Sequence, residues 1–368
     1  MIPGRRRLAV VVMVAMLAVV VPASVNAALG GSITVNAQIG GCFVGKGPAN
    51  SSGTVVWKTA AGRLKASFNT TSDGNGTFYA PKVVCAQLRL VVGDTLKMTF
   101  PYVARTFTVP RLTVNFNRST NVISGLAPPS SSFALDVARP WLVRSEGTEV
   151  DCNTTVHVGG TGTWSLDATG LSTGDNCPSD YDPIGGDQAT VFWTGPKGDT
   201  VYRYGYAHSV TVTIGDSGIT GAVGAGQSVK VEERNPSGGL RGSVHRHGDG
   251  SGQFHGTLNN AGGMPIKVRI GDSVDGNWAG SVAFKVPTLA ITWDTGANTV
   301  RGQCMPNARY GLVYNHGSES YGGNGVTDGA GRTSSIVPGN TLTSGDSATL
   351  ICARKSGDLV ERVSVLMP

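Results

Sequence analysis

The densest run of side chains able to do chemistry is Val244-His-Arg-His-Gly-Asp-Gly-Ser-Gly-Gln-Phe-His255. On a strand over 243–247, His245 and His247 share a face, and a hairpin return would carry His255 towards them. Three imidazoles so placed are ligands for Zn2+ or Cu2+. The equivalent positions of an earlier segment are Asn69 and Thr71, which favours a solvated polar face over a metal centre. The Asp-Gly-x-Gly turns at Asp73 and Asp249 offer oxygens to Ca2+. That ion needs six to eight ligands and, in an EF-hand loop, a distal bidentate Glu. Neither is present locally, and Asp-Gly is an ordinary hairpin turn. The expectation is no resident cofactor, with Ca2+ the one cation to which distant loops could add oxygens.

Hydrolytic signatures are missing: there is no Gly-x-Ser-x-Gly, no His-Glu-x-x-His and no phosphate-binding Gly-x-x-x-x-Gly-Lys-Ser/Thr. Asp180, Asp182 and Asp187 lie close in sequence, but a glycosidase holds its two carboxylates apart across a cleft, which a loop alone does not provide. Aromatic residues are the other route to function. Segments 126–152, 170–187 and 303–326 hold Trp141, Asp180, Tyr181, Asp182, Tyr310, Tyr314, His316 and Tyr321. Tyr rings give large contact area at low entropic cost, so these residues are the candidate partner-binding set. Trp141 and Trp278 stand in irregular stretches where a flat ring can stack on a sugar or a protein.

The elements that must position these residues are strands. Thr95–Phe100, Val210–Ile214 and Ser228–Glu232 alternate apolar and polar residues, with Gly, Asn, Asp and Ser turns between them. Similar turns recur at Asp73-Gly-Asn-Gly, Gly159-Gly-Thr-Gly, Asp249-Gly-Ser-Gly and Asp328-Gly-Ala-Gly, spaced 86, 90 and 79 residues apart. A Gly-Asp pair follows each, at 93–94, 186–187, 271–272 and 345–346. A glycine closes an opening strand at Gly40, Gly125, Gly221 and Gly302. Three markers in the same order four times predict tandem repeats. Together with Pro110 and Pro287 they set four units, 28–109, 110–207, 208–286 and 287–368, the third acting as a spacer. Alternating strands in units of this length predict an all-β chain of tandem β-sandwiches.

Six cysteines allow fifteen pairings. They fall two in the first unit, two in the second and two in the fourth, which predicts Cys42–Cys85, Cys152–Cys177 and Cys304–Cys352. No Cys-x-x-Cys motif suggests metal or redox chemistry. Disulfides fit an oxidising compartment, and the first residues agree. Arg5–Arg7, an apolar run from Leu8 to Val21 and Val25-Asn26-Ala27 form the plan of a signal peptide over 1–27. That run is shorter than the ~20 residues a membrane-spanning helix needs, so no integral membrane segment is expected after cleavage. Without the leader, 27 basic residues face 24 acidic ones and no Lys/Arg cluster remains. Nucleic acid is therefore excluded as an expected partner.

The chain resembles the tandem immunoglobulin-like and related β-sandwich modules of secreted and surface proteins of bacteria. The resemblance is architectural, carried by the export signal, the short strands, the Gly-x-Gly and Gly-Asp markers and the repeat length. It implies a secreted or cell-surface, non-catalytic structural or adhesive protein, with an extracellular protein or polysaccharide as partner. The alternative is an array of carbohydrate-binding modules, with or without a weak or degenerate hydrolase activity. A surface aromatic strip flanked by amides would mark that alternative.

Overall fold

Alternation of burial organises the chain. Thr95–Phe100 buries Leu96, Met98 and Phe100, and Ser132–Ala138 buries Phe133, Leu135 and Val137, leaving the residues between them on the other face. The computed structural model describes residues 32–368 except 119, 140–142, 145–146, 149–150, 172, 175–176, 178–180, 182, 281 and 355. The expected leader, Trp141, Asp180 and Asp182 lie outside the described residues.

The first quarter contains β1 (Thr34–Gln38), β2 (Phe43–Lys46), β3 (Ser52–Lys58), β4 (Leu64–Thr71), β5 (Thr77–Tyr79), a short helix α1 (Lys82–Gln87), β6 (Thr95–Phe100) and β7 (Val103–Thr108). The second contains β8 (Thr113–Asn117), β9 (Val122–Leu126), β10 (Ser132–Ala138), β11 (Val143–Arg144), β12 (Gly147–Thr148), β13 (Asp151–His157), β14 (Thr163–Asp167), β15 (Gln188–Thr194) and β16 (Thr200–Tyr206). In the third are β17 (Ser209–Ile214), β18 (Gly218–Ala222), β19 (Ser228–Arg234), β20 (Leu240–His247), β21 (Gln253–Thr257), β22 (Ser273–Gly276) and β23 (Val282–Lys285). The fourth has β24 (Ala290–Asp294), β25 (Thr299–Gln303), β26 (Arg309–His316), β27 (Glu319–Val326), β28 (Ser347–Ala353) and β29 (Leu359–Val365).

The strands pair antiparallel within each quarter, and the quarters are joined two by two. A seven-stranded sheet runs β13-β10-β15-β16-β1-β2-β5, in which β1 meets β16 in parallel. Its counterpart runs β21-β18-β17-β29-β28-β26-β27, in which β17 meets β29 in parallel. Against these pack the smaller sheets β4-β3-β6-β7 and β14-β9-β8 in the first half, and β20-β19-β22-β23 and β24-β25 in the second. Buried residues accordingly form one core from Ile33 to Ala207 and another from Val210 to Val360. Strands of the first and second quarters thus share one large sheet, and those of the third and fourth share another.

The Gly-Asp markers have one structure throughout. Gly93, Gly186, Gly271 and Gly345 have φ of 83°, 85°, 87° and 94°, a left-handed conformation that glycine adopts without steric cost. Each glycine N–H donates to the residue closing the last strand of its quarter (Val109, Ala207, Val286 or Leu366), whose own N–H returns to the aspartate carbonyl. The aspartate side chains turn inward, with Asp94 and Asp187 fully buried and Asp272 and Asp346 nearly so. Asp94 accepts from the Val91 N–H, the Trp57 indole and Lys65 at 3.1, 2.9 and 2.8 Å. Asp187 accepts from the Ile184 N–H, the Tyr181 hydroxyl and both Arg139 Nε and its terminal nitrogen. Asp346 accepts from the Thr343 N–H and the Tyr314 hydroxyl, and His316 Nδ1 lies 2.8 Å away. In the third quarter Arg241 bridges Asp272 and the buried Glu233.

A second glycine device makes room for rings. Gly45, Gly125 and Gly221 stand opposite Phe78, Trp164 and Phe254 across strand pairs. A Cβ on Gly45 would lie 2.1 Å from Phe78, and one on Gly221 2.6 Å from Phe254. In the first quarter the matching glycine is therefore Gly45, five residues beyond the Gly40 expected from spacing. Gly40 instead approaches Gly250, whose carbonyl a Cβ would meet at 2.5 Å. The three rings are core residues.

The three disulfides Cys42–Cys85, Cys152–Cys177 and Cys304–Cys352 are present, closing sequence separations of 43, 25 and 48 residues. Chain-entropy arithmetic assigns each about 3.5–4 kcal/mol. Asp187→Ala removes the buried carboxylate that faces the Arg139 guanidinium, itself 1% exposed. It is expected to cost about 3–5 kcal/mol in denaturant melts, whereas Asp73→Ala at an exposed turn should cost about 1 kcal/mol. Equal losses would show that burial of the aspartate is not what matters.

Candidate functional site

On the outer face of the first seven-stranded sheet, the sequence Tyr202-Arg-Tyr-Gly-Tyr206 places three tyrosines on one side of β16, because side chains alternate. Val201 and Gly205 face the core. The register sets Phe192 opposite Tyr202, Thr190 opposite Tyr204 and Gln188 opposite Tyr206. The next strand adds Ala134, Asp136 and Ala138, and β13 adds Asn153 and Asp151. Phe192 and Tyr202 stack with centroids 5.9 Å apart, and Tyr204 meets Tyr202 edge-on at 5.6 Å. The Tyr202 hydroxyl donates to Gln38 Oε1 at 3.2 Å, and Gln188 Nε2 donates to Thr190 Oγ1 at 3.4 Å. The result is a row of four half-exposed rings flanked by amides, with small side chains between it and two carboxyls.

The electrostatics of this face are unusual for the chain. No lysine or arginine occupies an outward position of β13, β10, β15 or β16. Burial, the charge of Asp151 and a hydrogen bond to it push the Asp136 carboxyl up to about 6. Burial likewise pushes the Tyr202 and Tyr206 hydroxyls up to about 12 and raises that of Tyr204, so all three remain protonated donors at neutral pH. The tyrosine row ends at the third quarter. Tyr204 and Tyr206 line a crevice with Val223, Gly224, Ala225 and Ser251.

That meeting of the two halves is fixed by Asp358, which is fully buried. It accepts from the Val210 N–H at 3.2 Å, the Trp278 indole at 2.9 Å and Ser356 Oγ at 2.9 Å. Arg118 of the first half reaches both its oxygens at 3.3 Å. Asp199 is the counterpart within the first half, accepting from the Val35 N–H at 2.9 Å and from Arg105. Each thereby ties the first strand of one quarter to the last strand of the next. Beside Asp358, a Cβ on Gly357 would lie 1.8 Å from the Gly185 nitrogen.

The residues singled out from sequence are placed differently. His245 and His247 are exposed neighbours on β20 with ring centroids 5.8 Å apart, and Ser228 Oγ lies 2.6 Å from His245 Nε2. His255 is also exposed, but on β21, which pairs with β18 in the opposing sheet. The expected hairpin return does not form, and the three imidazoles do not converge. Among the described residues no group of three or more His, Cys, Asp or Glu is placed to hold a metal ion. In the Asp-Gly-x-Gly turns, Asp73 and Asp249 Oδ1 each accept two N–H groups of their own turn.

Of the candidate partner-binding residues, Tyr181, Tyr310 and Tyr314 are buried. Tyr181 and Tyr314 hold Asp187 and Asp346, and the Tyr310 hydroxyl accepts from the Ser334 N–H at 3.0 Å. Segment 303–326 is not an irregular loop, since most of it forms the hairpin of β26 and β27. His316 and Tyr321 are half-buried at its rim, Tyr321 donating to Glu319 at 2.9 Å. Trp278 is a fully buried junction residue. The outer tyrosine row was missed, although its signal, three tyrosines at alternate positions of one strand, is plain in the sequence.

No family model matches the chain, and no curated protein matches it in sequence. Among solved structures it is similar to the tetra-tandem repeat in the extending region of a large adhesion protein, at 15% identity over 91% of this chain and 98% of that one, with a TM-score of 0.17. It is also similar to a Ca2+-stabilised, ice-binding adhesin of an Antarctic bacterium (15% identity, 92% and 99% covered, TM-score 0.18). A BSP domain of a biofilm-associated protein gives 7% identity, 92% and 96% coverage and a TM-score of 0.19. Likeness at this level carries no argument about function. The tandem β-sandwich fold rests on the strands themselves.

Because the Asp136 carboxyl titrates higher in the fold than in an unfolded chain, its stabilising contribution is complete below about pH 4 and is lost as pH rises through about 6. Asp136→Asn is expected to remove a fall in melting temperature between pH 4 and 7 that the parent chain shows. An unchanged pH profile in that variant would show that the carboxyl pair is not coupled.

Proposed function

We propose that this is a secreted or cell-surface, non-catalytic protein of structural or adhesive function, built as a stiff series of four sandwich units. The observation that carries this reading is the Asp358 junction, where a buried carboxylate joins the second, third and fourth quarters with no free linker between the cores. Such an arrangement fixes the position of one core against the next. The signal-peptide pattern over 1–27 and three formed disulfides support export. No helix among the described residues is long and apolar enough to cross a membrane.

A second reading, carbohydrate binding, is favoured by one specific observation, the aromatic row with adjacent amides on the outer sheet face. The rim residues His316 and Tyr321 are a further proposed contact on the fourth unit. The two readings are compatible, since adhesion to a glycan-coated surface would use both.

Cells displaying the chain should attach to a glycan- or protein-coated surface more strongly than cells lacking it, with no soluble product released from the coating. Release of product would overturn the non-catalytic reading. Arg118→Ala should leave each core folded while raising hydrogen exchange in the segments around 207–210 and 356–358. Unchanged protection there would show that the junction does not depend on that ion pair.

A further inference from the structure

We propose that the outer face of β10, β15 and β16 is the docking surface for a neutral, hydroxyl-rich polysaccharide lying along the row Phe192, Tyr202, Tyr204 and Tyr206. The inference rests on the carbohydrate reading and assigns it a place and a ligand class. Pyranose rings present C–H faces that pack on aromatic rings, and their hydroxyls need partners that both donate and accept. Tyrosine hydroxyls and the amides of Gln38 and Gln188 meet that need.

Charge narrows the class. The chain carries 30 lysines and arginines, and none lies at an outward position of these strands or of β13. The charged side chains nearest the row from the β13 side are Asp136 and Asp151, and Asp249 acts on Tyr206 from the third quarter. A uronate or sulfate polymer would therefore meet like charge and no counter-ion, whereas a neutral chain meets no penalty. The side chains between the carboxyl pair and the tyrosine row are small, Ala134 and Ala138 on β10 and Thr190 on β15. Lys46 and the outlying, 62% exposed Tyr79 lie at the far edge of the same sheet.

The test is affinity electrophoresis and pull-down of the whole secreted chain with neutral glucan, xylan and mannan, and with an acidic polyuronate. The parent chain is expected to be retarded by at least one neutral polymer and not by the polyuronate. Tyr204→Ala should weaken that retention about tenfold, Tyr204→Phe should keep most of it, and Tyr79→Ala should leave it unchanged. Thr190→Arg, which sets a bulky cation opposite Tyr204 without removing a ring, should abolish binding with all three disulfides still formed. The double variant Asp136→Asn and Asp151→Asn should admit the polyuronate. Neutral-polymer binding that survives both Tyr204→Ala and Thr190→Arg would overturn the site while leaving the carbohydrate reading intact. Preference of the parent chain for the polyuronate would overturn the ligand class. Binding to none of the polymers would overturn both the site and that reading.

Discussion

The structure depends on carboxylates taken out of water and surrounded by donors. An isolated buried charge is very unfavourable, so each inward aspartate is tolerable only because N–H, indole, hydroxyl or guanidinium groups converge on it. At Asp94, Asp187 and Asp346 one donor comes from a residue 37, 48 or 32 positions away in sequence, Trp57, Arg139 or Tyr314. Each aspartate is therefore a check on correct assembly of its quarter, because the penalty is relieved only when every donor has arrived. In the third quarter the check is made by Arg241 between two carboxyls, and burial together with Asp272 raises the Glu233 carboxyl well above its usual range. That quarter is also the one without a disulfide, so its integrity rests more heavily on this cluster.

The same chemistry, moved from the core of a quarter to its border, joins the quarters together. Asp199 and Asp358 follow a glycine, as the core aspartates do, yet each caps the backbone of a neighbouring unit's first strand. Repetition of one local device at two kinds of location gives a chain whose parts and whose joints obey the same rule. Function can then reside on a surface that the joints hold in place. The tyrosine row ends against the third quarter, where Tyr204 and Tyr206 share a crevice with Val223 and Ser251.

Much of this was legible in the sequence. Alternating strands, the ordered Gly-x-Gly and Gly-Asp markers and the distribution of cysteines lead directly to all-β sandwiches and to the three disulfides. What was not legible follows from the non-local nature of burial. Gly-Asp reads as turn chemistry, and nothing in the pair itself says that its carboxylate points inward towards Trp57 or Arg139. Tyr181, Tyr310 and Tyr314 read as surface contacts because tyrosine is amphipathic, but their hydroxyls were needed inside as donors or acceptors. The histidine cluster misled for a topological reason. A Gly-rich turn after β20 suggested a hairpin, whereas the chain crosses to the opposing sheet and carries His255 with it.

The parallel pairing of β1 with β16 and of β17 with β29 bears on how the molecule comes into being. Val35 must wait for Asp199, 164 residues later in the chain, and Val210 for Asp358, 148 residues later. During vectorial synthesis or translocation, the opening strand of each half emerges first and finds its closing neighbour last. Until then β1 and β17 lack that partner and present an open edge, the kind of template on which chains associate wrongly. Contacts of such long sequence separation also slow folding. Completion of the large sheet in each half thus waits for its last strand, and a chain arrested near residue 110 would leave β1 without its β16 neighbour.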